Sequence, residues 1–191
     1  KISGNAAVSK VRSDADTTTE IKNSIIKAQD VIAKANSTNE ILDVAIGLSA
    51  AVGGGSASVA LAGNVATNKI DNDTTVTFAN DDIYATGTVA ALSDSYERLR
   101  NYGGAISAGV SSQNAVALGA TIVTNTIEGD TESIIKNSSI VALGDGDGVK
   151  LNEHSFGEIA SGSPKYELKE TAATSATAKK GLVVNAEAEH F

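Results

Sequence analysis

The chain has no cysteine, no methionine and no tryptophan, a single proline (Pro164) and only 4% aromatic residues. Each absence excludes something. Without cysteine there is no disulfide framework, no thiolate metal site and no cysteine nucleophile. The compartment stays open on that ground, although very long exported chains also avoid cysteine because a stray disulfide would jam export. Without methionine there is no start residue. The chain opens at Lys1 with no signal peptide, which leads us to expect an excised piece or a processed product whose targeting signal lies outside it.

Positive charge is also scarce. Fifteen Lys and Arg stand against 23 Asp and Glu, for a net charge of −8. Nucleic-acid binding needs clustered cations to meet the phosphates, and an anionic membrane surface needs the same, so neither partner is expected. No apolar run reaches the roughly 18 residues that span a bilayer. The stretch from Ile46 to Val65 comes closest, and Gly, Ser and Asn interrupt it. We therefore expect no membrane insertion by this segment.

What is present is a repeat. Asp16, Asp73 and Asp130 lie 57 residues apart (73 − 16 = 57; 130 − 73 = 57). The same offset aligns Val8, Val65 and Ile122; Asn23, Asn80 and Asn137; Ile26, Ile83 and Ile140; and Ala28, Ala85 and Ala142. A fixed period with matched residue types marks a stacked repeat architecture, which offers long surfaces more often than a catalytic pocket. The composition fits narrow β layers, because small and β-branched residues dominate. Within each block an extended segment meets a turn cluster, Ser13 to Asp16, Asp71 to Thr74 or Glu128 to Thr131, and a second extended segment follows. Ile21, Ile25, Ile26 and Ile32 also fit an amphipathic helix, but position 21 is equivalent to Phe78 and Ile135, in copies that form helix poorly.

These signals predict an all-β β-solenoid fragment over 1–191, with repeats at about 2–58, 59–115 and 116–148, an irregular part at 149–180 and the start of a further coil at 181–191. A 57-residue period is expected to divide into about three coils of ~19 residues, or two longer ones; three coils would rise ~14 Å per repeat and make a rod of roughly 45 Å. On that division the Asn23, Asn80 and Asn137 column is too widely spaced to form an amide ladder. Thr38 to Ser49 and Ser95 to Ile106 occupy equivalent places, matching Glu40 with Glu97 and Gly47 with Gly104. A short helix capped by Ser93, Asp94 or Ser95 is expected to run through Arg100 and stop at Gly103 and Gly104. The Gly144–Gly148 run breaks the pattern, Ala160 to Pro164 reads as a loop, and Glu170 to Lys180 as a loop or short helical excursion.

Three stretches carry a family resemblance: SVALAGNVATNKIDNDT (Ser58 to Thr74), NAVALGATIVTNTIEGDT (Asn114 to Thr131) and the ending GLVVNAEAEHF (Gly181 to Phe191). The chain resembles the passenger regions of leukotoxin-family filamentous adhesins and, more broadly, haemagglutinin-like autotransporter passengers. The resemblance implies a right-handed parallel β-helix, a cell-surface or secreted location, and a role in adhesion or toxicity. It supplies no catalytic motif. A trimeric autotransporter head fits less well, because the VALG copies at Val116 and Val141 are 25 residues apart (141 − 116 = 25), longer than such heads repeat.

Few residues suggest chemistry. His154 and His190 have no metal-ligand spacing around them, and no G-x-S-x-G elbow marks a nucleophile. The acidic pairs Asp14/Asp16, Asp71/Asp73 and Glu128/Asp130 place hard oxygen ligands two apart, as calcium sites do, but aspartate also simply favours turns. Gly53 to Gly55 lacks the lysine of a phosphate loop. A polysaccharide-active enzyme would need aromatic platforms, which are scarce here. The reading is a non-enzymatic adhesive rod or spacer with no cofactor, with part of a secreted cytotoxin as the alternative. Its partner would be a receptor on a host cell or another bacterium, met at excursions Ser93 to Gly104 and His154 to Glu170. Tyr96, Arg98, Arg100, Tyr102 and Tyr166 are the residue types that interfaces favour there. The columns through Val8 and through Ile26 are expected to be core, and open solenoid ends to allow self-association.

Overall fold

The structure is a computed structural model that describes residues 1–54, 57–156, 170–174 and 177–190. Each repeat supplies the same series of strands. The first holds β1 (Ile2–Asp14), β2 (Thr17–Lys22), β3 (Ile25–Ala28) and β4 (Val31–Gly53). The second holds β5 (Ala57–Asp71), β6 (Thr74–Ala79), β7 (Asp82–Ala85) and β8 (Val89–Ser111). The third begins with β9 (Asn114–Glu128), β10 (Thr131–Lys136) and β11 (Ser139–Ala142), then departs into β12 (Asn152–Phe156) and β13 (Glu170–Thr174) before β14 (Leu182–His190). Among the described residues there is no helix.

Equivalent strands lie side by side. The sheets are β1-β5-β9, β2-β6-β10, β3-β7-β11 and β4-β8-β14, and every pairing in them is parallel; β12 and β13 form a separate antiparallel pair. Ile2 pairs with Val59 and Thr17 with Thr74, each 57 residues on (59 − 2 = 57; 74 − 17 = 57). Residues one period apart are therefore nearest neighbours across one strand spacing, about 4.8 Å. This corrects the division of the period into three coils and the ~14 Å rise per repeat. The layer is long because β4 and β8 each run for 23 residues.

One further residue changes the faces. Val31 pairs with Val89, an offset of 58 (89 − 31 = 58), and the offset returns to 57 at Ala57 and Asn114 (114 − 57 = 57). The insertion falls at Gly87, whose N–H donates to the Gln29 carbonyl at 2.7 Å while the Thr88 N–H donates to Asp30 Oδ1 at 2.7 Å. A Cβ at Gly87 would lie 2.2 Å from that Asp30 oxygen, so the corner requires glycine. A one-residue slip reverses every side chain. Glu40 accordingly pairs with Arg98 rather than Glu97, and Gly47 with Ala105 rather than Gly104. The expected helix from Ser93 to Arg100 is strand as well: the segment lies inside β8, where β4 pairs along its whole length and β14 along Ser93 to Glu97.

The apolar core sits where three sheets, β2-β6-β10, β3-β7-β11 and β4-β8-β14, meet. Val31, Ala33, Ala35, Val76, Phe78, Ile83, Ala85, Val89 and Ala91 are buried together, and Ile26 and Ile140 pack against them. The Ile26/Ile83/Ile140 column is core, as expected. The Val8/Val65/Ile122 column is not, because it lies on the outer face of its sheet, with Val8 76% and Ile122 60% exposed.

Asn23, Asn80 and Asn137 all have positive φ, at 53°, 58° and 51°. Asparagine tolerates this left-handed region better than other side chains. The three form the same corner in successive repeats. Asn80 Nδ2 donates to Asn23 Oδ1 at 3.3 Å, so adjacent members of the column do make the amide contact that a three-coil spacing would forbid.

Truncating Ile83 to Ala should cost about 2–5 kcal/mol, read from the shift in denaturation midpoint at constant slope. Asn80→Ala should cost about 1–2 kcal/mol and Asn80→Gly clearly less, because glycine keeps the φ and loses only the amide contact; equal losses would refute the corner argument.

Candidate functional site

Beyond the core, β4 and β8 continue for about a dozen residues, and β5 and β9 run back along them. The two sheets form a thin arm. Its interior is built of small side chains: Ala45, Gly47 and Ala51 face Ala60, Ala62 and Ala66. A Cβ on Gly47 would come 2.3 Å from the Gly63 carbonyl oxygen, so the layers touch through backbone here. Side-chain amides bridge them. Asn5 Nδ2 donates to the Leu48 carbonyl at 2.8 Å, and Asn64 Nδ2 donates to the Ala45 carbonyl.

Between core and arm lies a polar junction. Ser9 Oγ donates to Asp43 Oδ1 at 2.8 Å, Asn101 Nδ2 donates to Asp43 Oδ2 at 3.2 Å, and Asn68 Nδ2 donates to Asn125 Oδ1 at 3.2 Å. Glu97 points into this junction, fully buried, because the insertion at Gly87 turned it inward. Neither of its carboxylate oxygens makes a hydrogen bond among the described residues, and the His190 imidazole lies 3.8 Å from one of them. Burial pushes the Glu97 carboxyl above its ordinary range, against the opposing pull of His190, Asn72 and Ser95.

The five candidate contact residues separate. Tyr96 and Arg98 are 2% and 6% exposed, so the expectation that they present themselves on an excursion is corrected: they lie in β8, with the same outward alternation as Arg100 and Tyr102, but are covered there. Arg100 is half-buried and paired with Glu40, its neighbour one strand away. Tyr102 is 44% exposed beside Val44. Arg100 and Tyr102 thus remain together on one outer face, flanked by Leu42 and Val44. Tyr166 lies outside the described residues. Of the second excursion, His154 falls in β12, and Glu170 opens β13, a strand where a loop or helix was expected.

The acidic turns are occupied by local partners. Asp71 pairs with Lys69 at 2.8 Å and with Arg12 at 3.5 Å, and Lys69 also reaches Glu128 at 2.6 Å. The hydrogen bond from Lys69 holds the Asp71 carboxyl below its usual range, and its two carboxylate partners raise the lysine. Asp73 Oδ1 accepts from the Asp130 N–H at 2.9 Å, and Asp16 Oδ1 from the Asp73 N–H at 3.4 Å. Each aspartate thus caps the backbone of the next repeat. Among the described residues no three His, Asp or Glu side chains converge as metal ligands would. Gly144, Gly146 and Gly148 take φ of 77°, 106° and 79° in a turn that only glycine makes easily.

Sequence reasoning missed the Glu97 junction. Its signal was the single residue by which Thr86 to Thr88 exceeds its counterpart.

Because the fold raises the Glu97 carboxyl, the folded chain retains a proton that the unfolded chain releases. The stability this gives is complete below the unfolded carboxyl value and is lost as pH rises through the folded one. Glu97→Gln should therefore unfold at a higher temperature than the parent at pH 7, with the gap closing towards pH 4. A gap that widens on acidification would refute this.

Comparison with protein-family models, with curated proteins and with solved structures finds no match for this chain.

Proposed function

We propose that this chain is a stretch of parallel β-helix, of the β-solenoid class, in which each 57-residue repeat is one coil. It serves a secreted or surface-exposed passenger as a non-enzymatic adhesive rod or spacer. The observation that carries this reading is the in-register pairing of equivalent strands across all three repeats. An array of that kind lengthens by adding repeats, each supported by its neighbour. A right-handed winding is the sense that parallel crossovers take.

Adhesion needs a surface rather than a cleft. The hollow lined by Lys34, Asn36, Leu92, Asp94, Leu151, Asn185 and Glu187 holds about 10 Å³, the room of one water, and the larger one of about 360 Å³ beside Leu151, Lys179 and Val183 is open to solvent and, among the described residues, holds no group of acidic or histidine side chains. The outer face around Arg100 and Tyr102 combines an arginine, an aromatic and aliphatic neighbours, a combination that interfaces favour. An extracellular setting accords with the absence of cysteine and with the resemblance to autotransporter passengers.

Two measurements test the reading. Inserting further copies of residues 59–115 should lengthen the particle in solution scattering by about 4.8 Å per copy; a change of ~14 Å, or none, would remove the one-coil assignment. Attachment to host or bacterial cells, scored together with lysis, separates adhesin from cytotoxin. Arg100→Glu with Tyr102→Ala should weaken attachment about 30-fold if that face binds, about 2 kcal/mol. A chain that never attaches is a spacer.

A further inference from the structure

The arm is built inside out. Its interior holds alanine, glycine, serine and asparagine, while its larger aliphatic side chains face outward. On the β4-β8 face, Val44, Ile46, Leu48 and Val52 stand beside Ile106 and Val110, with Val52 64% and Ile106 62% exposed. On the opposite face, Val65 stands between Val8 and Ile122, Leu61 between Gly4 and Leu118, and Ile2 beside Val59. No charge falls within either surface: residues 2–9, 44–68 and 101–127 contain no Lys, Arg, Asp or Glu, and Lys10 bounds the face on β1.

We propose that both outer faces of this arm are docking surfaces for further copies of the same chain, so that arms stack face to face into an open-ended laminate. The inference does not rest on the adhesive reading.

Shape supports a second copy as the occupant. On the β1-β5-β9 face, a column of small residues, Ala6, Gly63 and Ala120, runs between the bulkier columns ending at Leu118 and Ile122. On the β4-β8 face, Ala50 and Ala108 run between Leu48/Ile106 and Val52/Val110. Each face thus offers ridges and a shallow groove at strand spacing, and an arm from another copy carries the matching relief. Hydrocarbon fits less well. β1 and β4 are edge strands with unpaired N–H and C=O groups, which lipid cannot satisfy and water at the rim of a laminate can.

Area sets the strength of each contact. Three strands of eight residues, or two of twelve, present about 400 Å² of face. One contact therefore covers about 800 Å² over both partners, short of the roughly 1,000 Å² of a lasting pair. Each contact in a longer stack covers the same area, so assembly is weak and driven by concentration. Because occupying one face leaves the other open, assembly does not close at two.

The experiment is sedimentation of the whole chain over a range of concentrations, with neutral phosphatidylcholine vesicles as the lipid probe. Two variants each place an opposite-charge pair on one face, Leu48→Lys with Ile106→Glu and Leu61→Lys with Leu118→Glu; each pair is in cross-strand register, which protects the fold. The parent should grow past dimer as concentration rises. Either variant should stop at dimer or smaller, and the four-fold variant should be monomeric with an unchanged β spectrum. If the four-fold variant does not fold, the two single-face variants decide. A parent that stays monomeric at millimolar concentration overturns the proposal. So does growth that both single-face variants leave unchanged, which would assign assembly to strand edges. Vesicle binding lost in the variants, without self-association of the parent, would assign the faces to lipid.

Discussion

Every other feature of this structure depends on backbone pairing between residues one repeat apart. A parallel sheet needs partners delivered in the same direction, and the only segment that can partner a strand here is its own counterpart in a neighbouring repeat. That requirement fixes the corners. Asparagine in the left-handed region must recur at 23, 80 and 137, because one layer that turned differently would lift its strands off the next. It also explains the aspartates at 16 and 73, each of which accepts the backbone N–H of the equivalent aspartate one layer on, Asp73 and Asp130.

The third repeat shows what happens when the series is interrupted. Leu182 pairs with Val89, an offset of 93 (182 − 89 = 93), where β4 and β8 differ by 58. Thirty-five additional residues (93 − 58 = 35) are therefore accommodated between β11 and β14 without loss of register beside β8. Val149 and Leu151 return from this insertion to cover Ala90 and Leu92, and so close the outer face of β8 at that point. Insertions enter at a corner and are anchored there, while the ladders continue.

Much of this was legible in the sequence, and the reasons for the failures are physical. The period, the all-β character, the turn clusters and the Ile83 column follow from local chemistry that each repeat restates. The length of a layer does not follow, since composition cannot distinguish one 57-residue circuit from three short ones. Facing was lost for two separate reasons. At Val8, Val65 and Ile122 hydrophobic identity suggested burial, yet the narrow arm admits only small side chains inside, which turns the large ones outward. At Glu97 an ungapped alignment carried the wrong parity, because one inserted residue at Gly87 reverses the alternation along all of β8. Tyr96 and Arg98 were read as interface types on a helical excursion, whereas they lie in β8 and are covered.

The small-residue interior of the arm also governs how this chain responds to temperature. The heat capacity of unfolding arises mainly from apolar surface newly exposed to water. Alanine and glycine expose little, and the arm's large aliphatic side chains already face solvent in the isolated fold. The heat-capacity increment per residue is accordingly below the 12–15 cal/mol/K that is usual, roughly, for globular domains. A smaller increment flattens the stability curve, so the stability of such a fold changes less with temperature than that of a domain with equal maximum stability.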